Sequence, residues 1–370
     1  MKILHVIPSL GIGGTEKMLY ELCRGLDAQR FKCGVVALKS GGAAGEKLSG
    51  LGVPVEVLGS PDGFVSGVLA LPGLYARLKS SIRKSAPDIV HTWLTRANVL
   101  GRCAARAAGV PRVVSSLRVM EVEKGYHLLA ERWTSRQADA ITVNAAPLKD
   151  FAVQRIGLPE EKIHLISNGI DVSRAPDTAL VETYRKQWAG PGRLLIGAVG
   201  RLHRQKGMDV LLEAAAHIVK AHPNAHFLIA GDGPERARLE AQAARLGIQA
   251  SVTFCGWVKG SLEFISLLDI FALPSRWEGM PNAVMEAMLM GKPVIASRVS
   301  GVPELIQHET DGMIVRSEDV GALSQVLSRL INDAAFRAEL GRAARQKISS
   351  QFDLKTMVTA YETLYQSLQR

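Results

Sequence analysis

The sequence predicts an α/β protein of two successive domains, each a parallel β-sheet wrapped by helices on both faces. Short apolar runs alternate with helical patterns along the 370 residues, as expected of parallel strands joined by crossover helices. The length suits two domains of ordinary size. Near the middle, Asp171 to Arg193 is polar and holds Pro176, Gly190, Pro191 and Gly192, so a linker is expected there. Residues 1–172 then form the first domain and 173–353 the second, with residues 354–370 packing back on the first.

In the first half the strands are read at Ile3–Ile7, Cys33–Leu38, Val53–Leu58, Ile89–Trp93, Val113–Leu117, Ala140–Val143 and Ile163–Ile166. In the second half they fall at Leu194–Val199, His226–Ala230, Val252–Cys255, Ile270–Leu273, Val294–Ala296 and Met313–Val315. A helix over Glu16–Leu26 puts Leu19, Leu22 and Leu26 on one face. A second, over Leu69–Lys84, turns Leu71, Leu74, Leu78 and Ile82 inward and Arg77, Arg83 and Lys84 outward. The last runs from Leu354 to Leu368. Two such series make two Rossmann-like domains.

Composition narrows the function. Apolar residues make up 47% of the chain, ample for packed cores, while aromatics at 5% are too sparse for a platform that stacks single-stranded nucleic acid. The formal charge is +10, and from Arg77 to Arg136 twelve Lys/Arg stand against four Asp/Glu, or +8. That concentration implies an anionic partner, either a membrane surface or a phosphorylated substrate. Cys23, Cys33, Cys103 and Cys255 are scattered without Cys-x-x-Cys, which reads as a reduced, cytoplasmic protein. The opening Met1 to Pro8 reads as a strand, not a signal peptide. The longest apolar run, Phe64 to Leu78, is broken by Ser66, Gly67, Pro72 and Gly73, so no membrane span is expected.

The richest stretch is Ser275-Arg-Trp-Glu278-Gly-Met-Pro281-Asn-Ala-Val-Met-Glu286, with an apolar strand before it and Gly291 and Pro293 after it. Pro281 suits the first helical position, where an amide hydrogen has no partner anyway. The amides of residues 279 to 284 then face out from the strand's carboxyl end, an anion site by geometry and dipole. Glu278 stands at its mouth and Glu286 within the helix, so hydroxyls on either side of a phosphate can each meet a carboxylate. A sugar nucleotide is such a ligand. Upstream, the strand ending at Val199-Gly200 runs into Arg201 and Lys206-Gly207, an Arg fork and a Lys point charge suited to a diphosphate. Gly231-Asp232-Gly233-Pro234 either lines a nucleoside pocket or simply turns.

In the first domain, Ser9-Leu-Gly11-Ile-Gly13-Gly14-Thr15-Glu16 is a Gly-rich turn opening a helix. Glu16 in place of a third Gly or Ala, and Lys39 in place of an acid after the second strand, disfavour a nicotinamide cofactor. His91 ends a strand where it either hydrogen-bonds a sugar or serves the core. His217, His222 and His226 are separated by a helix end and Pro223, and the chain has no Asp-x-Asp, so no metal site is expected.

These residues resemble the retaining glycosyltransferases of the large GT-B family 4, marked by an E-x7-E pattern. The resemblance spans nearly the whole chain. It rests on Gly13-Gly14-Thr15-Glu16, Pro87-Asp88-Ile89-Val90-His91, Ser167-Asn168-Gly169-Ile170-Asp171, Gly200-Arg201 to Lys206-Gly207, Gly231 to Pro234, and Glu278 to Glu286. It implies two Rossmann-like domains facing across a cleft, the first serving the acceptor and the second the donor. It also implies that the Gly14 amide, Arg201 and Lys206 hold the donor diphosphate and that Glu286 holds the ribose. Glu278 with the amides of Gly279, Met280 and Asn282 would hold the transferred sugar, and backbone near Trp257 and Val258 the base. Some members carry a histidine after the fifth strand; Arg118 stands there here, which leaves His91 and Arg118 both as candidates on the acceptor side.

The expected activity is transfer of a hexose or N-acetylhexosamine, with retention, from a nucleotide diphosphate sugar to a glycan or lipid-linked acceptor in cell-surface polysaccharide assembly. A UDP-sugar is favoured, with GDP-mannose as the alternative. Glu278, Arg201, Lys206 and His91 would be catalytic. No resident cofactor, metal or nucleic acid is implied, and the place of work would be the cytoplasm or the inner face of its membrane. The rivals are another GT-B enzyme, such as a UDP-N-acetylglucosamine 2-epimerase, and a non-catalytic sugar-nucleotide-binding protein.

Overall fold

The computed structural model describes residues 1–60, 70–120 and 125–369. It divides into two compact units, one of Met1–Gly169 with Leu354–Arg370 and one of Ile170–Asp353.

The first unit holds β1 (Lys2–Ser9), β2 (Lys32–Ser40), β3 (Val55–Val57), β4 (Ile89–Trp93), β5 (Arg112–Leu117), β6 (Ala140–Val143) and β7 (Ile163–Leu165). Its helices are α1 (Gly14–Gly25), α2 (Ala43–Gly50), α3 (Leu71–Ser85), α4 (Thr95–Ala108), α5 (Gly125–Ser135) and α6 (Ala146–Phe151). All pairings in the sheet are parallel, in the order β3-β2-β1-β4-β5-β6-β7. Buried on both faces, the strands need apolar residues at successive positions, so β1 reads as a near-continuous run. Ile3 and Ile7 point to one face, under α1 and α2, and Leu4 and Val6 to the other, under α3 and α4. The start of the helix expected from Leu69 lies outside the described residues, as does Phe64 to Leu69 of the broken apolar run; from Leu71 on, Leu74, Leu78 and Ile82 are buried as the pattern required. No helix among the described residues is long and apolar enough to cross a membrane.

The second unit holds β8 (Leu194–Val199), β9 (Ala225–Ala230), β10 (Val252–Gly256), β11 (Ile270–Leu273), β12 (Val294–Ser297) and β13 (Met313–Val315), paired in the order β10-β9-β8-β11-β12-β13 and again all parallel. Its helices are α7 (Thr178–Trp188), α8 (Met208–Ala221), α9 (Arg236–Arg245), α10 (Ser261–Leu267), α11 (Asn282–Leu289), α12 (Val302–Leu305), α13 (Val320–Asn332) and α14 (Ala334–Gln351). One continuous core joins both faces of this sheet.

Two readings of the sequence are corrected. Asp171 to Arg193 is no bare linker. It carries α7, capped by the Asp177 carboxylate, which accepts from Ala179 N at 2.9 Å, and held by Tyr184 and Trp188, stacked on one another with Trp188 edge-on to Phe264. The Pro and Gly residues that suggested a linker flank a helix whose few apolar positions suffice to dock it. Pro281 is the N-cap of α11 and not its first residue: its ψ of 111° is extended, and its carbonyl accepts from Val284 and Met285. The Val284 amide is thereby taken.

The last helix, α15 (Leu354–Ser367), belongs to the first unit. Leu354, Met357, Val358, Tyr361, Leu364 and Tyr365 complete its core beside Ile3, Leu22 and Trp93.

Candidate active site

In an open parallel sheet the ligand crevice opens where the strand order reverses, at the strands' carboxyl ends. In the second unit that point lies between β8 and β11. The residues that follow these two strands form one constellation.

After β8, the chain passes Gly200 and the exposed Arg201, makes a single turn over Arg204–Lys206, and enters α8 through Gly207. Gly207 has φ +64°, and a Cβ there would sit 2.0 Å from the Pro274 carbonyl oxygen, so only glycine lets this turn press against the end of β11. That contact brings Lys206 to the residues after β11. Lys206 Nζ lies 2.5 Å from Glu278 Oε1, and the same oxygen accepts from Ser275 Oγ at 2.7 Å. Glu278 and Ser275 are buried, and the Lys206 side chain is mostly so. Glu286 is buried two turns further on, in α11, with Met280 also buried and Gly279 and Asn282 between.

The two loops are locked by further bonds. Gln205 Nε2 donates to Trp277 O at 2.9 Å, and Arg276 N donates to Gln205 O at 2.7 Å. Arg276 grips both carboxylate oxygens of Asp209 at 2.9 Å, reaches Arg204 O at 2.8 Å, and meets Glu318 at 2.7 Å. The hydrogen bond to Asp209 raises the already high Arg276 pKa, so this clamp stays charged. Burial alone would raise the Asp209 carboxyl; Arg276 more than offsets this and holds it below its ordinary range. Ser275, Gln205, Arg276 and Asp209 were not singled out from the sequence. Ser275 and Arg276 lie inside the motif, but nothing local marks Asp209 as the partner of a residue 67 positions away.

Gly231 and Gly233 serve packing. A Cβ on Gly231 would lie 2.0 Å from Gly200 O, and one on Gly233 would lie 2.4 Å from Leu202 O, so this turn backs directly onto the Arg201 loop. At the end of β10, the Trp257 side chain stands exposed and Val258 packs partly on the core.

In the first unit the order reverses between β1 and β4. There the turn Gly11–Gly14 opens α1, with Gly14 exposed at its first position and Gly13 as an extended N-cap.

His91 is not at that opening, which corrects the reading that placed it toward a sugar. It lies fully buried within β4, with Nδ1 2.7 Å from Tyr365 Oη and Nε2 2.8 Å from Ser116 Oγ. Both ring nitrogens are committed, and burial, reinforced by the charges of His5 and Arg118, holds its pKa well below the ordinary value. Arg118 is buried too, bonded to Asn168 Oδ1 and lying over the Trp93 ring. The Ser167-Asn168-Gly169 motif is thus the anchor of Arg118. Two more cations of the segment Arg77 to Arg136 are paired: Arg102 is fully buried against Glu131 at 2.6 Å, and Arg106 pairs with Asp139 at 2.7 Å.

Two cysteines that look scattered converge. A ring nitrogen of His5 and the sulfurs of Cys23 and Cys33 lie within 4.8 Å of one another. Trp93 Nε1–H donates to His5 Nδ1 at 3.2 Å. An indole nitrogen only donates, so His5 Nδ1 is the acceptor there and its lone pair is taken. A hydrogen bond from Cys23 and the nearness of His5 bring the Cys33 pKa down to about 5, while Cys23 moves up.

Comparison with known proteins agrees with this layout. Residues 12–174 match the profile described as Glycosyltransferase Family 4, and residues 193–333 that of Glycosyl transferases group 1. The 2-deoxystreptamine glucosyltransferase of Streptomyces kanamyceticus is 31% identical over 269 residues, covering 68% of this chain and 69% of that protein. An Escherichia coli enzyme, UDP-Gal:alpha-D-GlcNAc-diphosphoundecaprenol alpha-1,3-galactosyltransferase, is 29% identical over 81% of this chain and 80% of its own. Among solved structures, Anabaena HepE (Alr3699) in complex with UDP and glucose aligns over 99% of this chain and all of its own, with a TM-score of 0.86 at 24% identity, a likeness of fold. The two-sheet architecture is therefore GT-B, and the chain belongs to the family 4, group 1 glycosyltransferases, enzymes that transfer sugars.

Proposed function

We propose that the enzyme transfers a hexose or N-acetylhexosamine, with retention at the anomeric carbon, from a nucleotide diphosphate sugar to a glycan or lipid-linked acceptor in cell-surface polysaccharide assembly. The observation that carries this reading is the buried Ser275–Glu278–Lys206 group at the reversal point of the second sheet. A cation and a hydroxyl share one carboxylate oxygen there, beside the start of α11. An incoming diphosphate competes for Lys206 and adds Arg201. Glu278, still held by Ser275, then turns its free oxygen to a hydroxyl of the transferred sugar. Glu286, two turns along, meets the ribose. Lys206, Arg201 and the positive end of α11 put positive potential where the leaving diphosphate gathers charge, a contribution that grows when water is shut out. No resident metal enters this account. The departing phosphate takes the acceptor's proton.

A UDP-sugar is the favoured donor, with GDP-mannose second. Support comes from the names of two similar proteins: the Escherichia coli relative uses UDP-Gal and a diphosphoundecaprenol-linked acceptor, and HepE was solved with UDP and glucose. A thermal-shift panel of UDP-, GDP- and ADP-sugars, run with and without EDTA, tests the proposal, since a ligand stabilises the fold by RT ln(1 + [L]/Kd), roughly 2.7 kcal/mol at a hundredfold excess over Kd. A shift confined to UDP-sugars and indifferent to EDTA is expected. A shift that vanishes with chelation, or no shift with any of them, would sink the metal-free donor reading. Conversion of UDP-N-acetylglucosamine to its 2-epimer without an acceptor would favour the rival activity.

A further inference from the structure

Helix α5 is turned inside out. Its one acidic residue, Glu131, faces the interior, where Arg102 Nη1 lies 2.6 Å from Oε2 and Asn98 Nδ2 donates to Oε1 at 3.0 Å. Thr134 Oγ1 accepts from the same Arg102 nitrogen at 3.1 Å. This buried ion pair fixes the rotation of the helix. The opposite side then presents Tyr126, Leu129 and Trp133, spaced three and four apart and therefore in one stripe, with exposures of 57%, 61% and 79%. Single exposed apolar side chains are ordinary, but a contiguous ridge of three marks a contact surface. Of the eight large apolar side chains exposed among the described residues, three stand on this stripe. Arg132 and Arg136 are exposed along it, and no exposed residue of the helix is acidic.

We propose that the Tyr126–Leu129–Trp133 ridge docks the enzyme onto an anionic lipid bilayer. An apolar stripe with a Trp and cationic flanks is the pattern of a helix that lies in the membrane interface, with arginines reaching the headgroup phosphates. A second copy of the chain fits less well. A two-fold interface would set this ridge on itself and bring Arg132 and Arg136 against their counterparts, with no acid on the stripe to offset them. The buried ion pair presents the ridge ready-formed, so docking needs no refolding of the helix. The proposal deepens the reading of a lipid-linked acceptor and rests on it for its purpose, though not for its physics.

The test uses the full chain with vesicles of phosphatidylcholine alone and of phosphatidylcholine mixed with phosphatidylglycerol, at low and high salt. Wild type should co-sediment with the anionic vesicles at low salt and release at high salt. The double substitution Leu129→Ala and Trp133→Ala should weaken this at least tenfold, and Arg132→Gln with Arg136→Gln should remove its salt dependence, with thermal melting and UDP-sugar binding unchanged in both. Trp133→Phe should keep binding but abolish the blue shift in tryptophan emission that wild type shows on vesicles. Equal binding by the Leu129/Trp133 variant, no binding by wild type, or a dimer in free solution that this variant dissolves would each overturn the proposal. Docking through the ridge together with transfer only to a free neutral sugar would leave the surface standing and remove the lipid-linked acceptor. Loss of UDP-sugar binding with docking intact would fault the donor reading alone.

Discussion

At the scale of single residues, the Lys206–Glu278 pair makes separable forecasts. On the proposed donor reading, Lys206→Ala removes a charge-assisted contact to the diphosphate worth roughly 1.5–3 kcal/mol, so transfer should drop tenfold or more. Glu278→Gln releases Lys206 from its 2.5 Å partner. Bare UDP should then bind as tightly as to wild type or tighter, while turnover falls. Glu286→Gln should instead weaken UDP binding. Calorimetry with UDP beside a transfer assay reads all three, and equal losses of UDP affinity at 278 and 286 would erase the division of roles. Cys33 offers a pH test. Its folded pKa of about 5 lies below the ordinary 9.0, so its thiolate stabilises the fold fully above 9, and that contribution is lost as pH falls through 5. The stability advantage of wild type over Cys33→Ser should therefore shrink from pH 9 to pH 5, and thiolate absorbance near 240 nm, taken as the difference between the two proteins, should titrate well below pH 8. An ordinary thiol titration would show that His5 and Cys23 do not act on it.

At the scale of elements, turns position the chemistry and strands supply the platform. Gly207 illustrates it: a methyl group there meets the Pro274 carbonyl at 2.0 Å in a left-handed backbone. Gly207→Ala should destabilise the second unit by more than about 1 kcal/mol and should lower transfer further, because Lys206 rides on that turn. Gly247→Ala is the control, with φ +71° and open space around it, so it should carry only the modest cost of the backbone conformation. Chemical denaturation of both variants separates steric contact from conformational preference. The glycines of Gly231–Pro234 belong to the same class. From the sequence they looked equally able to line a pocket, and only the contact with Gly200 and Leu202 shows what they hold apart.

At the scale of the whole molecule, the final helix closes the first unit from the far end of the chain. Ending the chain at Asp353 would strip Leu354, Met357, Val358, Tyr361, Leu364 and Tyr365 from a core they share with Ile3 and Trp93. Each buried side chain of this kind contributes roughly 1.5–3 kcal/mol, so the loss is as large as the whole net stability of a domain, about 5–15 kcal/mol. The truncated chain should lose the hydrogen-exchange protection of β1 and β4 and keep that of β8 and β11. Full protection of β1 would mean that the helix is dispensable.

Apolar patterning by itself settled the strands: each of the thirteen, from Ile3 to Val315, overlaps the apolar run that predicts it, because a central parallel strand buried on both faces must be apolar at successive positions, while the edge strands β3 and β7 leave residues exposed. That Lys206 and Glu278 follow the ends of neighbouring strands was legible for a related reason, since the strands that precede them were, and the structure brings the two together at 2.5 Å. What the sequence left open was decided by contacts between distant residues. His91 and Arg118 look like site residues until Tyr365, Ser116 and Asn168 bury them. Cys23 and Cys33 look scattered until α1 lays one over the other beside His5. The cationic segment looks uniform until Glu131 takes Arg102 inside and leaves Trp133 facing out. Periodicity records how much of a side chain is buried, not which partner meets it, and a charged or polar group takes its role from that partner.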